Sequence, residues 1–253
     1  MELNKIYHGD CLELMKHIPE GCIDMILCDL PYGVTKNKWD CAIDISDLWC
    51  QYKRIIKSNG CIVLTGQDKF SAKLMMSNEK MHRYNLVWQK THATGYLNAK
   101  KMPLRNHEDI LIFYKNLPTY NPQKTTGHKR KKSTANHKRN SKKTTNYGNH
   151  ELTTYDSTER FPKSVLTFAT DKQKSSIHPT QKPVALFEYL IKTYTNPGDI
   201  VLDNCVGSGT TAIACLRTNR NYVCIEKEKR YYELILKRIE NENKNRNSQR
   251  PRD

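Results

Sequence analysis

The chain has 253 residues, 42 of them Lys or Arg against 26 Asp or Glu, giving a formal net charge of +16 and a pI near 9.4. That length accommodates one large domain or two small ones around a substantial core. A mean hydropathy of −0.77, with no apolar run approaching the roughly 18 residues of a membrane span, excludes an integral membrane protein, and the excess of cations points to a polyanionic partner, most commonly nucleic acid.

In chain order, a short strand is expected over residues 4–8, a helix over 11–18 and an apolar strand over 24–29. A helix over 44–57, a strand over 61–66 and a helix over 69–76 follow, then strands over 85–90 and 109–114. Across residues 124–143 there are nine Lys or Arg and no Asp or Glu, set among Ser, Thr, Asn, His and Gly. This segment lacks apolar periodicity, so it reads either as a basic loop or small subdomain projecting from the core, or as a solvated tract. Beyond it come a strand over 164–168, a helix over 184–194, strands over 200–203 and 222–226 flanking a helix over 210–217, and a helix over 227–239. Residues 237–252, again basic, read as a frayed tail. Strands alternating with helices in this way imply a doubly wound, mostly parallel α/β sheet, whose ligands sit at the carboxyl ends of the strands.

Nine cysteines are an odd number, most lie in apolar runs, and none forms a Cys-x-x-Cys pair. They read as reduced, buried small hydrophobes, and no metal site is expected. Residues 1–5, Met-Glu-Leu-Asn-Lys, lack the layout of a signal peptide, so the expected compartment is the cytoplasm, with no membrane association.

Residues 200–211, Ile-Val-Leu-Asp-Asn-Cys-Val-Gly-Ser-Gly-Thr-Thr, read as a strand, a small-residue turn and a helix start. Gly207 and Gly209 let the backbone approach a ligand, and Thr210 or Thr211 can open the helix. The following strand ends in Glu226, a carboxylate able to accept hydrogen bonds from a ribose diol; the alternative is a tight turn followed by a surface acid. No third glycine completes a dinucleotide fingerprint and no Gly-Lys-Ser/Thr follows, which argues against a nicotinamide dehydrogenase and a nucleotide hydrolase. Asp203 at the strand end can face a cationic amino group, and a ligand with ammonium, ribose and base fits S-adenosylmethionine better than NAD.

The second constrained turn is Asp29-Leu30-Pro31-Tyr32-Gly33. Pro31 fixes its own backbone angle and biases Leu30 towards an extended conformation, while Gly33 permits a reversal. Such a turn gathers a carboxylate, a backbone carbonyl and an aromatic face, the set needed to methylate an exocyclic amino group. Asp29 accepts one amino hydrogen and the Leu30 carbonyl the other, localising the nitrogen lone pair, while Tyr32 stacks on a base rotated out of the helix.

On these residues the chain resembles the amino-group-specific DNA methyltransferases that make N6-methyladenine or N4-methylcytosine. Asp29-Leu30-Pro31-Tyr32 is similar to their Asp-Pro-Pro-Tyr motif, and residues 203–211 resemble their Asp-Pro-Phe-x-Gly-Ser-Gly-Thr-Thr cofactor loop. His178-Pro179-Thr180-Gln181-Lys182-Pro183 is similar to the segment that starts the helix beside the cofactor methionine, and Tyr7-His8-Gly9-Asp10-Cys11 to the strand end whose Asp contacts the cofactor adenine. The catalytic motif precedes the cofactor loop, as in the permuted beta group. The resemblance implies a Rossmann-like S-adenosylmethionine-dependent fold with a catalytic half at residues 1–117, a target recognition insertion at 118–164 and a cofactor half with a basic tail at 165–253. It implies a cofactor site of Asp10, Lys182, Asp203, Cys205, Gly207, Ser208, Gly209, Thr210 and Glu226. Two departures stand out: Leu30 replaces the first proline and loosens the turn, and Asn204-Cys205 replaces Pro-Phe, so the aromatic packing is either missing or comes from elsewhere.

The implied activity is site-specific methylation of adenine N6 in double-stranded DNA, since Asp rather than Ser at position 29 leans towards adenine. The alternatives are N4-cytosine methylation, methylation of RNA or of a protein amide, and a non-catalytic nucleic-acid-binding module with the same fold. A homodimer and a cognate restriction enzyme are further partners with which this reading is compatible. Candidate DNA contacts are Lys129, Arg130, Lys131, Lys132 and Arg139 in the basic segment. Lys90 and Arg105, with Lys100 and Lys101, flank a glycine-containing loop and either hold phosphates or form a solvated face. Trp39, Trp49 and Trp88 read as core or strand-edge aromatics, and His107-Glu108 as structural or as support for the site.

Overall fold

In the computed structural model, residues 1–32, 43–134, 154–171 and 181–248 are described. They group into two compact units, Met1–Asn121 with Ser164–Asp253, and Pro122–Lys163. The larger unit opens with β1 (Lys5–His8), α1 (Cys11–Met15), β2 (Ile23–Cys28), α2 (Ile45–Ile55), β3 (Ile56–Gly66) and α3 (Asp68–Ser77). A long hairpin follows, β4 (His82–Thr94) and β5 (Arg105–Phe113). The smaller unit contributes β6 (Lys131–Lys132) and β7 (Asp156–Ser157). The larger unit resumes with β8 (Val165–Phe168), α4 (Val184–Tyr194), β9 (Ile200–Asp203), α5 (Thr210–Thr218), β10 (Asn221–Glu226) and α6 (Lys229–Ser248).

Eight strands form one sheet in the order β1-β10-β9-β2-β3-β5-β4-β8. β5 alone among them runs antiparallel to its neighbours. The middle strands are buried on both faces, which is why β2 and β3 read as continuous apolar runs rather than alternating ones. Met25, Leu27 and Val63 face Leu186, Phe187, Ile191 and Ile213 of α4 and α5. Ile26, Cys28, Ile62 and Leu64 face Leu48, Trp49, Tyr52 and Ile55 of α2. The entry to α2 is fixed by Asp44, whose carboxylate accepts the backbone N–H groups of Ser46 and Asp47 at 2.8 and 3.0 Å.

Three elements differ from expectation. The β4–β5 hairpin extends well past residues 90 and 109, because its polar outer residues pair with each other and need no apolar pattern. β3 begins at Ile56, which pairs with Ile23, so the helix before it ends early. Residues expected to fray are helical to Ser248. There Glu242 takes a bidentate ion pair from Arg217 at 2.6 and 2.8 Å, and buried Ile235 anchors the helix to the sheet side.

In the smaller unit, β6 and β7 pair antiparallel and Thr125 bridges Arg160. Arg130 forks onto Asp156 at 2.6 and 3.0 Å, an acid supplied from outside the acid-free segment. Among the described residues, no helix is long and apolar enough to cross a membrane.

Candidate active site

A cavity of about 480 Å³ lies at the carboxyl edge of the sheet, lined by Asp29, Tyr32, Lys182, Asp203, Gly207 and Glu226 together with the inner end of the β4–β5 hairpin. The turn after β2 and the loop after β9, 174 residues apart from Asp29 to Asp203, meet there because β2 and β9 are parallel neighbours. This is where an open α/β sheet presents its strand ends to a ligand.

Asp29 is held by three donors. Lys182 Nζ lies 2.6 Å from its Oδ2, while the Thr65 hydroxyl and, at 3.2 Å, the Tyr32 hydroxyl donate to its Oδ1. Lys182 also pairs with Glu108 at 3.0 Å, and Glu108 with Lys90 at 2.6 Å, so two lysines and two carboxylates form one chain of ion pairs in the cavity wall. Burial alone would push the Lys182 ammonium down, but Asp29, Tyr32 and Glu108 hold it well above its ordinary value. Burial likewise works to raise the Glu108 carboxyl, and Lys182 and Lys90 bring it below the usual range. Tyr32 is raised by burial and then by Asp29, so its hydroxyl stays protonated. Its ring stacks on Phe70 with centroids 4.5 Å apart. Leu30, which stands where the resembled motif has its first proline, is buried in the α2-side core; apolar burial rather than ring rigidity holds the turn.

At the glycine loop, Asp203 accepts the Cys205 N–H at 3.0 Å and the Thr211 hydroxyl. These partners are neutral, and burial pushes the Asp203 carboxyl up to about 7. Glu226 accepts the backbone N–H groups of Gly207 and Glu228, both at 2.8 Å, and burial raises it as well. Ser208 bonds Thr210 at 3.0 Å, and Thr210 donates to the Lys182 carbonyl at 3.2 Å, tying the glycine loop to the Gln181-Lys182-Pro183 segment. Asp10 caps α1 through Leu12 and Glu13 and meets Lys227 at 3.3 Å. The Cys205 thiol, which stands where the resembled motif has its phenylalanine, is pushed well above its ordinary value by the neighbouring Cys11 and Cys28 and by burial. Asn204 accepts the Tyr52 hydroxyl at 2.5 Å.

Two expected site residues are placed differently. Gly209 points away from the cavity: its φ is +81°, and a Cβ there would stand 2.9 Å from Ile235 Cγ2, so its smallness serves packing against α6 rather than close approach of a ligand. Gly209→Val is accordingly expected to destabilise the fold by about 2–4 kcal/mol, from left-handed strain plus overpacking; an unchanged melting temperature would contradict this. Lys90 is not free for a phosphate either, because its ammonium is committed to Glu108 in a nearly dry setting, over the Trp88 ring. Arg105 does line the cavity, half-exposed, 3.5 Å from Asp68. Lys129, Lys131 and Lys132 are exposed on the smaller unit. Trp49 and Trp88 are core residues, their indole N–H groups donating to Ser77 and to the Phe168 carbonyl. Gly33, Trp39, Arg139 and 178–180 lie outside the described residues.

The sequence did not single out Thr65 or Phe70; Glu108, read there as structural or as support for the site, lines the cavity and pairs with Lys182 and Lys90. Glu108 opens an apolar strand, and only the reversed direction of β5 puts that opening at the cavity edge. Gln181, also in the cavity wall, has a buried side-chain carbonyl without a hydrogen-bond partner among the described residues.

A family model described as DNA methylase, covering N6 and N4 enzymes, matches residues 23–237. The chain belongs to the DNA methylase family. It is 27% identical to the DNA adenine methyltransferase YhdJ of Escherichia coli (strain K12), over 94% of this methylase and 83% of that protein. It is 28% identical to the type II methyltransferase M.HinfI of Haemophilus influenzae, over 94% of this chain and 68% of that one. Among solved structures, the M1.HpyAVI-SAM complex aligns with a TM-score of 0.63 at 25% identity, covering 93% of this chain and 98% of that chain. The cytosine-N4-specific PvuII DNA methyltransferase aligns at 0.64 with 17% identity over 92% and 84%, a likeness of fold.

Proposed function

We propose that this DNA methylase transfers a methyl group from S-adenosylmethionine to the N6 amino group of adenine in double-stranded DNA. The observation that carries the reading is the meeting, in one cavity, of the Asp29 turn with a buried carboxylate that has only neutral partners. The cavity falls within the about 300–1,000 Å³ typical of small-molecule sites. Asp203 suits the ammonium of the cofactor, since a cation would compensate its buried charge, and Glu226 keeps lone pairs for the ribose hydroxyls. Asp10, Gly207, Ser208, Thr210 and Cys205 complete that end, and Lys182 orders the Asp29 turn from behind. When bound, S-adenosylmethionine supplies a methyl group activated on a sulfonium sulfur. Asp29 and the Leu30 carbonyl accept the two amino hydrogens of a base turned out of the duplex, and Tyr32 supports its face. The adenine relative YhdJ and the aspartate at position 29 favour adenine over cytosine.

Residues 118–164 serve as the target recognition region in this reading, Lys129, Arg130, Lys131 and Lys132 meeting phosphates or base edges, with residues 1–117 and 165–253 as the catalytic and cofactor halves. The same reading includes a cognate restriction enzyme as partner and the cytoplasm as compartment; the chain's similarity to the type II methyltransferase M.HinfI supports the first. A homodimer belongs to the same proposal and is checked by sedimentation.

Cofactor affinity carries a pH signature. A bound cation favours ionised Asp203, so binding releases a proton below about 7, and affinity is expected to rise roughly five- to tenfold from about pH 6 to about 7.5. In the free protein the same raised carboxyl costs stability as the pH climbs from the ordinary carboxylate range through about 7. Calorimetry across that range tests both; an Asp203→Asn variant should bind more weakly with a flat profile, and a flat wild-type profile would remove Asp203 from the ammonium site. For the reaction itself, unmethylated genomic DNA is incubated with the enzyme and labelled cofactor, then digested to nucleosides. Label in N6-methyldeoxyadenosine is expected, label in N4-methyldeoxycytidine would shift the target base, and an unlabelled digest would refute DNA methylation.

A further inference from the structure

We infer that the tip of the β4–β5 hairpin is a wedge that enters the DNA base stack, Tyr96 and Leu97 occupying the space the target base leaves. The inference rests on the methylase reading and adds to it the residues that drive the base out.

The hairpin is built to project. Its strands pair from His82 opposite Phe113 out to Gln89 opposite His107, then, after a break in register, at Thr94 opposite Arg105. β4 is parallel to β8 and antiparallel to β5, which is itself antiparallel to β3. The end of β4 therefore leaves the sheet at the same carboxyl edge as the catalytic turn. Gly95 takes a left-handed φ of +86° to reverse the chain. A single 3-10 turn over Tyr96–Asn98 follows, closed by Asn98 N–H to the Gly95 carbonyl at 2.9 Å and Ala99 N–H to the Tyr96 carbonyl at 3.0 Å. The Lys101 and Met102 N–H groups both donate to the Asn98 carbonyl, at 2.8 and 3.0 Å. The tip thus has a defined shape of its own.

That shape holds Tyr96 and Leu97 out at 78% and 82% exposure, with Met102 and Leu104 at 44% and 45% behind them. Nothing in the fold calls for two large apolar side chains there, and such clusters mark interaction sites. Residues 91–107 contain no Asp or Glu and carry Lys100, Lys101 and Arg105; the acids lie at the base of the hairpin, where Asp68 faces Arg105 at 3.5 Å and Glu108 holds Lys90 at 2.6 Å. Apolar side chains ringed by cations fit a partner that is anionic outside and apolar within, which is the chemistry of a stacked duplex. A second copy of this +16 chain would bring like charge to the same surface. Position agrees: Thr94 and Arg105 line the cavity that holds Asp29, and Tyr96 is two residues beyond Thr94, within about 7 Å of it along the backbone. A side chain there can fill the gap beside the very base that Asp29 receives, and an inserted leucine or stacked tyrosine offsets the cost of unstacking.

The test uses the whole protein and two duplexes carrying its methylation site: one keeps adenine at the target position for the transfer rate, and the other has 2-aminopurine there, which lacks the 6-amino group but whose fluorescence rises when it leaves the stack. Tyr96→Ala/Leu97→Ala is expected to lower the fluorescence rise and the single-turnover rate roughly 10- to 100-fold. Cofactor affinity should stay unchanged, and the fold also, since the tip is exposed. A mismatch or abasic site opposite the target, which makes extrusion easy, should restore the variant's rate to near that of wild type. Wild-type extrusion by the variant, or no rescue by the mismatch, overturns the wedge while the methylase reading stands. Loss of a wild-type dimer in the variant overturns it in favour of a protein interface. A wild-type protein that methylates no duplex overturns the methylase reading and the wedge with it.

Discussion

Replacing Asp29 by alanine is expected to reduce methyl transfer by about 10²–10⁴-fold while leaving cofactor affinity within a few-fold of wild type. The carboxylate is the acceptor in the turn that faces the base, and without it the amino group loses the partner that orients its lone pair. The fold should tolerate the loss, because Lys182 keeps Glu108 at 3.0 Å and the donors left behind, the Thr65 and Tyr32 hydroxyls, are neutral. Single-turnover transfer of labelled methyl, with calorimetry on the same sample, separates the two steps. Activity within a few-fold of wild type would remove Asp29 from the chemistry. Asp29→Asn refines the test: it keeps an acceptor oxygen but gives up the charge on Lys182, so a rate between the two locates how much of the effect is geometry.

Lys182→Met is expected to be the most destabilising change in the cavity. The ammonium is buried between two carboxylates, at 2.6 Å from Asp29 and 3.0 Å from Glu108, and removing one member of a buried ion pair costs about 3–5 kcal/mol. Adding Glu108→Gln should recover part of that loss, since one of the uncompensated charges leaves with it, but Lys90 then loses its partner at 2.6 Å and recovery stays incomplete. Denaturant unfolding of the two single variants and the double variant measures this coupling; strictly additive losses would mean that the ion pairs act independently. The wild type should also lose stability at low pH. Lys182 and Lys90 overcome burial to hold Glu108 below the usual carboxyl range, so its contribution is present above that range and disappears as the pH falls through its folded value.

The sheet was legible where strands are buried on both faces. Met25 to Cys28 and Ile62 to Leu64 leave no alternative to a central strand, and Val184 to Tyr194 repeats its apolar residues at helical spacing. The direction of β5 was not legible, because antiparallel and parallel strands share one apolar pattern when both faces are covered. The outer hairpin was missed for the opposite reason: Thr91 to Thr94 and Arg105 to His107 are exposed and polar, and their pairing is backbone hydrogen bonding with no side-chain signature. Residues 237–248 misled through composition, since their charges find partners such as Arg217 and Asn219 that are distant in sequence.

By itself the sequence determined what is local: the Asp29 to Tyr32 turn, the glycine loop after Asp203 and the basic character of residues 124–143. In each case contiguous residues restrict their own backbone or concentrate their own charge. Only the tertiary structure decided that Lys182 serves Asp29 across 153 positions, that Glu108 and Lys90 continue the same chain of charges, and that Gly209 is small for the sake of Ile235. Ion pairs and steric contacts depend on distance in space, and strand order and direction, which set those distances, belong to the packing of the whole sheet.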